Sequence, residues 1–401
     1  MRRGQGVGHY ALITVHAVTE PVLGLDLGTT FSTAALVVNG KFHYATYERG
    51  EACIPSVVHF PRTGAPIVGA EADKLRLSDP ENTVWGIKRV IGRSLDSPHA
   101  RRLQAGSVFK LIGHGQDEVK VRVRSGDFAA SEIAAILLRN LRERAQQRFG
   151  KALTKAVVTV PVLTPRHVRD DMIRIGRMAG LEVLRVVAEP VAGALARGIA
   201  GASDTGAPRL IFDFGGGTLD LTVVQRSEDL VKVLAAGGDD SLGGDDFDAE
   251  FSRFVANAVW GTHKLDVTKD ALLADTIHRM CERVKRALSA APSARYLIPE
   301  ALGAKGRKWD IELAVTREVM APVWDELVAR AVSATTDTIK ASGVDPKSLS
   351  AVSLIGGTTF IPQVRAAVSQ AFDVPLDIEP DPQTAVARGA AFLGAFPQLI
   401  R

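Results

Sequence analysis

The chain carries Val22-Leu23-Gly24-Leu25-Asp26-Leu27-Gly28-Thr29-Thr30 and, about 190 residues later, Leu210-Ile211-Phe212-Asp213-Phe214-Gly215-Gly216-Gly217-Thr218-Leu219-Asp220. In each segment an apolar strand reaches an aspartate and then turns through glycine and threonine. Glycines let backbone N–H groups approach a phosphate closely, and threonine hydroxyls add donors. An aspartate at each turn can hold a magnesium ion through its water ligands, because magnesium keeps most of its hydration shell. Two such turns in matching order predict a duplicated fold that binds a nucleotide between its halves.

Each turn taken alone is also typical of an ordinary β-hairpin, because aspartate and glycine both favour turns. A Rossmann or P-loop site is disfavoured, since those loops lead from a strand into a helix. Here the apolar stretches 31–38 and 221–224 follow the turns, and both are typical of strands. The phosphates are therefore expected on hairpins and not at the start of a helix.

The composition is that of a soluble globular protein, and it excludes several classes. The 401 residues are 46% hydrophobic and 23% charged, which allows two domains with ample cores. The net charge of +4 is spread along the chain without a basic run interleaved with aromatics, so no nucleic-acid partner is expected. No stretch reaches the roughly 18 uninterrupted apolar residues of a membrane helix, so no membrane partner is expected. Two isolated cysteines, Cys53 and Cys281, are typical of a reducing compartment, which predicts a cytoplasmic protein.

The order of strand and helix patterns predicts an α/β protein with sheets flanked by helices. Turn-forming residues at 201–208 predict a hinge between two lobes. A helical pattern that ends near Phe149 has Ser131 as its expected N-cap. The predicted divisions are a disordered N-terminal extension (1–20), lobe I (21–205, with a small subdomain at about 57–130), lobe II (206–381, with a small subdomain at about 243–320) and a C-terminal helix that returns to lobe I (382–401).

Further blocks follow the two turns in the sequence. They are Ile87-Lys88-Arg89-Val90-Ile91-Gly92-Arg93, Val187-Ala188-Glu189-Pro190, Cys281-Glu282-Arg283-Val284-Lys285-Arg286-Ala287-Leu288-Ser289 and Gly356-Gly357-Thr358-Thr359-Phe360-Ile361-Pro362. Together, over about residues 21–397, the blocks resemble the nucleotide-binding domain of DnaK-type chaperones of the heat shock protein 70 family. The resemblance implies an actin-like ATPase fold with two lobes, each built on a duplicated mixed β-sheet with flanking helices, and a nucleotide cleft between them. It also implies ATP or ADP with Mg2+ as cofactors and slow hydrolysis of ATP to ADP and phosphate.

The resemblance also implies roles for individual residues. Asp26 and Asp213 match the carboxylates that hold hydrated Mg2+. Lys88 matches a lysine that reaches the γ-phosphate, Glu189 a glutamate that positions the attacking water, and Asp220 a carboxylate that is a candidate to accept its proton. The catalytic group implied in this way consists of Lys88, Glu189, Asp213, Thr218, Asp220 and Asp26.

The same resemblance implies a nucleotide-binding set. A lone lysine or a charged helical face is typical of solvated surface, and a Glu-Pro pair is typical of a helix start, so these residues gain meaning only inside the matching blocks. Phosphates are expected at Gly28, Thr29, Thr30, Gly215, Gly216, Gly217 and Thr218. Adenosine is expected at Glu282, Lys285, Arg286 and Ser289, which fall on one helical face, and at Gly356, Gly357 and Phe360.

Three departures from the family pattern shape the functional hypothesis. Phe360 stands where the family usually has an arginine stacked on adenine. Ala188 and Val191 replace the asparagine and threonine that accompany Arg185 on the surface for J-domain co-chaperones, so weak J-domain coupling is expected. The sequence ends at Arg401, so the family's linker and peptide-binding β-sandwich are expected to be absent.

We therefore expect a DnaK-like ATPase without a peptide-binding domain, acting as a nucleotide-dependent conformational switch or chaperone-like module. Its protein partner is unidentified, and a separate substrate-binding chain is one candidate. An actin-like nucleotide-gated scaffold or filament protein remains the alternative. A small-molecule kinase ranks last, because no second substrate pocket can be named.

Overall fold

The structure is a computed structural model, and it describes residues 21–45, 51–196, 206–227, 230–304 and 307–396. The predicted N-terminal extension and residues 201–205 of the predicted hinge lie outside the described residues. Within those described ranges, no helix is both long and apolar enough to cross a membrane.

The first lobe contains the elements up to residue 196. Its strands are β1 (Val22–Leu27), β2 (Phe31–Val38), β3 (Lys41–Tyr44), β4 (Cys53–Pro55), β5 (Val57–His59), β6 (Ile67–Val68), β7 (Thr83–Trp85), β8 (Lys110–Ile112), β9 (Lys120–Val123), β10 (Gly126–Ala129), β11 (Lys155–Val160) and β12 (Glu182–Ala188). Its helices are α1 (Ala70–Lys74), α2 (Pro98–Ala105), α3 (Ala130–Phe149), α4 (Arg166–Met178) and α5 (Glu189–Ala194).

The second lobe contains the elements from residue 206 onward. Its strands are β13 (Pro208–Phe214), β14 (Leu219–Ser227), β15 (Leu230–Asp239), β16 (Ser293–Ala304), β17 (Arg307–Thr316), β18 (Val352–Ile355) and β19 (Leu376–Ile378). Its helices are α6 (Gly244–His263), α7 (Ala271–Ala290), α8 (Arg317–Ser342), α9 (Pro362–Phe372) and α10 (Ala385–Ala395).

The central sheets of the two lobes have the same topology. The strand order is β3-β2-β1-β11-β12 in the first lobe and β15-β14-β13-β18-β19 in the second. In each sheet the first three strands of the lobe pair antiparallel and the next two pair parallel. The prediction of a duplicated mixed sheet is confirmed, and both glycine-threonine turns are hairpins, β1–β2 and β13–β14. The fold is the predicted actin-like one.

Smaller sheets stand beside the central ones. Strands β6, β5 and β7 form one three-stranded sheet, and β10, β9 and β8 form another. In the second lobe β16 and β17 form a two-stranded sheet that packs against α7. These additions place α1 and α7 above the cleft between the lobes.

Two helices join the lobes at their base. Helix α5 follows the first sheet but packs against β13 and β14, whereas α10 follows the second sheet but packs against β1, β2 and β11. The sequence of α10, Ala-Val-Ala-Arg-Gly-Ala-Ala-Phe-Leu-Gly-Ala, is apolar or small on nearly every side, as expected for a helix buried all round. The two helices also pack against each other, so the lobes share one base below the cleft.

The predicted N-cap of α3 is wrong by two residues. Helix α3 begins at Ala130, and the backbone N–H of Ala129 donates to Glu132 Oε2 at 2.7 Å. The hydroxyl of Ser131 donates instead to Glu118 Oε2 at 2.7 Å. A tertiary hydrogen bond therefore takes the serine that local capping preferences would place at the helix start.

Candidate functional site

One cavity of about 480 Å³ lies between the lobes, and both glycine-threonine turns face it. Every site residue expected from the sequence lines this cavity except Asp220. Its volume lies in the range of small-molecule sites, roughly 300–1,000 Å³. The fold thus gathers residues that are far apart in sequence around a single space.

The two turns approach each other across the cleft. A Cβ atom on Gly216 would lie 2.1 Å from Thr30 Oγ1, and one on Gly217 would lie 2.7 Å from Thr29 Oγ1. Any side chain at either position would therefore collide with the opposite turn. Glycine at these two positions lets the hairpins close on one small group from both sides.

Neighbouring segments hold both turns in place. Ser56 donates its backbone N–H to Thr30 O at 2.7 Å and its hydroxyl to Gly28 O at 2.8 Å. In the second turn, Gly215 O accepts hydrogen bonds from Gly244 N at 3.0 Å and Thr358 Oγ1 at 2.8 Å. The backbone N–H of Gly244, at the start of α6, and the hydroxyl of Thr358 thus hold the second turn in place.

Lys88 and Glu189 form a buried ion pair deep in the cavity. The ammonium of Lys88 donates to Glu189 Oε1 at 2.6 Å, and Glu189 is the first residue of α5. Burial alone would lower the pKa of Lys88, but the carboxylates of Glu189 and Asp26 outweigh it and raise the pKa. Lys88 therefore stays charged among several carboxylates.

The carboxylates of Asp26 and Asp213 line the same end of the cavity. Burial, followed by the charge of Glu189, raises the pKa of Asp26 to about 7, and the same causes raise the pKa of Asp213 well above its usual range. Thr159 Oγ1 donates to Asp26 Oδ1 at 3.2 Å, while the carboxylate of Asp213 makes no hydrogen bond or ion pair with another described residue. Crowded carboxylates of this kind favour a cation between them.

These two carboxylates fit a hydrated Mg2+ ion. Their oxygens are the hard ligands that magnesium prefers, and magnesium is usually held by one or two carboxylates with its remaining positions filled by water and phosphate. Among the described residues, no group of three or more His, Cys, Asp or Glu side chains is arranged to hold an ion directly.

Asp220 lies behind the second turn instead of lining the main cavity. Its carboxylate accepts hydrogen bonds from Thr218 Oγ1 at 2.8 Å and from Val162 N at 3.1 Å. Burial, followed by the charge of Glu189, raises its pKa to about 6. Asp220 therefore touches the cavity through Thr218 and links the turn to the segment that precedes α4.

The predicted adenosine face of α7 lines the opposite end of the cavity. The guanidinium of Arg286 lies 5.5 Å from the ring centroid of Phe31 and 3.9 Å from Glu282 Oε1. Lys285 donates to Asp248 Oδ2 at 2.6 Å and to Gly244 O at 2.7 Å. Its ammonium thus ties α7 to α6, while Arg286 reaches across to the first lobe.

Phe360 lines this end of the cavity and is 39% exposed. Arg365 lies on the following helix, α9, and its guanidinium is 5.5 Å from the centroid of the Phe360 ring. A large aromatic ring with this much exposed surface is available to stack on a planar ligand.

Asp245 is a site residue that the sequence reasoning missed. Its carboxylate accepts from Thr30 Oγ1 at 3.2 Å and from Arg89 Nη2 at 2.8 Å, so it joins the first lobe to the second beside the turns. Arg89 was also not predicted as a site residue, and its Nη1 donates to Gly217 O at 3.4 Å. Residues 243–248 also resemble a block of the family, but the sequence favours a structural role for them, since an acidic residue in the first turn of a helix is ordinary dipole compensation.

A second set of charges joins the lobes at the outer mouth of the cleft. Arg76 donates to Asp275 Oδ1 at 2.7 Å, and Arg279 donates to Asp73 Oδ2 at 2.8 Å. Asp73 and Arg76 belong to α1 and the turn after it, whereas Asp275 and Arg279 belong to α7. These two pairs close the cleft above the predicted adenosine end.

The family model described as Hsp70 protein matches residues 22–398. The chain belongs to the Hsp70 family. Among its Hsp70 relatives, a mitochondrial-type heat shock protein 70 of Encephalitozoon hellem is 31% identical over 373 residues, which is 93% of this chain and 62% of that protein. The chloroplastic heat shock 70 kDa protein 6 of Arabidopsis thaliana is 32% identical over 393 residues, which is 97% of this chain and 54% of that protein.

Two conclusions follow from the Hsp70 matches. The predicted resemblance is confirmed, and the chain spans somewhat over half the length of these curated relatives. The predicted cytoplasmic location is contradicted, because both relatives carry organelle names. The physical reason for the error is that unpaired cysteines indicate a reducing compartment without indicating which one.

Proposed function

We propose that the protein binds Mg-ATP in the cleft and hydrolyses it slowly to ADP and phosphate. The observation that carries this proposal is the single cavity lined by both turns, the Lys88–Glu189 pair, Asp26, Asp213 and the predicted adenosine face of α7. The cavity is thus lined by the residues that the family resemblance implies for the phosphates, the magnesium ion and adenosine.

The residues at the deep end suit phosphoryl transfer, where positioning and charge neutralisation provide most of the catalysis. Lys88 supplies positive charge to the transferred phosphoryl group, and Glu189, held by Lys88, accepts a hydrogen bond from the attacking water. Asp220 accepts a hydrogen bond from the Thr218 hydroxyl, which fixes that side chain and leaves the lone pairs of its oxygen for groups in the cavity. Bound Mg2+, held through water by Asp26 and Asp213, would neutralise the phosphate charge.

The nucleotide would also act as a bridge between the lobes. Its phosphates would contact both hairpin turns, while Thr30, Arg89 and Asp245 already join the lobes beside them. A ligand shifts an equilibrium only by its differential affinity for the two states. ATP contacts both lobes only when they are closed, so it should favour the closed arrangement. Loss of the terminal phosphate should weaken this preference for the closed arrangement.

A protein partner would respond to this motion. The relatives are named as heat shock 70 proteins, which supports a chaperone-type role for the chain. We propose that the ATP-dependent arrangement of the lobes controls binding of an unidentified protein partner.

The direct test is a single-turnover assay with radiolabelled ATP and excess protein. We expect ADP to form with magnesium present, and both tight ATP binding and ADP formation to fall strongly after chelation with EDTA. Restoring magnesium should restore both. Binding without any ADP formation would contradict the ATPase, and absence of binding would contradict the whole proposal.

Replacement of Phe360 by alanine should weaken ATP binding about tenfold, because stacking on one base contributes roughly 1–3 kcal/mol. Phe360→Arg should largely restore affinity, since a guanidinium can also stack on a base. The measurement is ATP titration by calorimetry. Ile378→Ala, at another exposed apolar side chain of the second lobe, is the control. An unchanged dissociation constant for Phe360→Ala would show that the ring does not contact the base.

A further inference from the structure

A second cavity of about 350 Å³ meets the first at its deep end. Thr29, Lys88 and Thr218 line both cavities, and Asp220 lines the second. None of the α7 residues of the adenosine end lines it, so it extends away from the expected base. Two spaces therefore share the position expected for the terminal phosphate.

The second cavity runs between the lobes. One wall is the segment from the end of β11 into α4, including Pro161 and Val168, and the other is the end of β15 with Gly238 and Asp239. It is large compared with one water molecule, whose share of liquid volume is roughly 30 Å³. A small anion has room to occupy it.

Three polar residues close its outer end. Arg93 Nη1 donates to His99 Nδ1 at 2.7 Å, and His99 Nε2 lies 3.1 Å from Asp240 Oδ2. Arg93 Nη2 lies 3.9 Å from the same Asp240 oxygen. Arg93 and His99 belong to the first lobe, while Asp240 follows β15 in the second, and the Asp240 side chain is 60% exposed. The closure is thus a contact between lobes at the protein surface.

The charges along the cavity suit passage of an anion rather than its storage. Lys88, Arg89 and Arg93 line it, and Asp220, Asp239 and Asp240 offset them. Asp239 is in turn bonded to Arg330 at 2.7 Å. An ion passes quickly through a path that attracts it enough to enter but not enough to remain.

We propose that the second cavity is the exit path of inorganic phosphate, with the Arg93–His99–Asp240 contact as its outer gate. The inference rests on the proposed ATP hydrolysis and adds a site for its product. After hydrolysis, ADP would still fill the first cavity between the terminal phosphate position and the cleft mouth. Phosphate that leaves before ADP needs an opening that ADP does not fill, and the second cavity begins where phosphate forms.

The test separates three rates in the same full-length protein. Acid quench measures ADP formation, a fluorescent phosphate-binding protein measures phosphate release, and displacement of a fluorescent ADP measures ADP release. Asp240→Asn and Arg93→Gln should each speed phosphate release about two- to fivefold, as expected for loss of a partly exposed ion pair. ADP formation and ADP release should not change, and the double variant should resemble the single ones.

Two controls fix the interpretation. Asp96→Asn removes a more exposed carboxylate of the same lobe that does not line the cavity, and it should leave all three rates unchanged. Asp275→Asn opens the cleft mouth and should speed ADP release alone. Phosphate release that is unaffected by Asp240→Asn and Arg93→Gln but accelerated by Asp275→Asn would overturn the exit path. Failure of ADP to form in acid quench would instead refute the ATPase itself.

Discussion

Replacement of Lys88 by methionine should slow single-turnover ATP hydrolysis about 10²–10³-fold, the usual effect of removing one group that stabilises developing charge. Methionine keeps the length of the side chain and removes its charge. The variant loses the ion pair between Lys88 and Glu189. Glu189, the carboxylate that is proposed to position the attacking water, is then no longer held in place. The pKa of Asp26, which burial and Glu189 raise and Lys88 lowers, should rise further. Acid-quench measurements with excess protein report this rate directly.

ATP affinity should change far less than the rate, because the adenosine contacts on α7 and Phe360 are untouched. Lys74→Met is the matched control, since Lys74 is an exposed lysine that pairs with Glu71 in the same lobe. Its variant should hydrolyse ATP at the unmodified rate. A Lys88→Met rate within twofold of the control would remove Lys88 from the mechanism.

Replacement of Gly389 by alanine should destabilise the protein by about 1–3 kcal/mol or more, the cost of overpacking a close-packed core. A Cβ atom at this position would lie 1.7 Å from the carbonyl oxygen of Ala192, where α10 crosses α5. Neither helix can move easily, because each packs against a central sheet. The measurement is the midpoint of thermal or urea denaturation. Because Glu189 begins α5, displacement of that helix should also slow hydrolysis.

Gly261→Ala is the control for the helix propensity of the new residue. Gly261 lies in α6, is exposed, and has no atom within 4 Å of a Cβ built on it. Alanine there should stabilise the protein by about 0.5–1 kcal/mol. Equal stability of Gly389→Ala and the unmodified protein would show that the base of the cleft is looser than its packing indicates.

Much of the fold could be predicted because its signals are local. An aspartate, glycines and a threonine between two apolar strands define each hairpin turn within a dozen residues, and the two turns recur in matching order. The observed strand order repeats in both lobes as that pattern implies. The helix capping at Ser131 could not be predicted, because its hydroxyl bonds a glutamate outside the helix.

Residues of the proposed site could be predicted where they lie in blocks that resemble the family. The contacts that connect these blocks to one another could not be predicted. Arg89 lies in one of the quoted blocks, yet nothing in that block indicates that its side chain meets Asp245 across the cleft. The contact of Asp248 with Lys285, which joins α6 to α7 within the second lobe, is likewise not indicated by the sequence. The assignments of individual residues to ATP and Mg2+ stay predictions until the assays above are made.

The sequence by itself determined the strands, the two turns and the family to which the chain belongs, because these depend on residue types at short spacing. The tertiary structure alone decided that Lys88 meets Glu189, that Asp220 lies behind Thr218 and that a second cavity opens behind the turns. Lys88 and Glu189 are 101 positions apart and the second cavity lies between elements of both lobes, so packing of the two lobes sets these features and local propensity cannot.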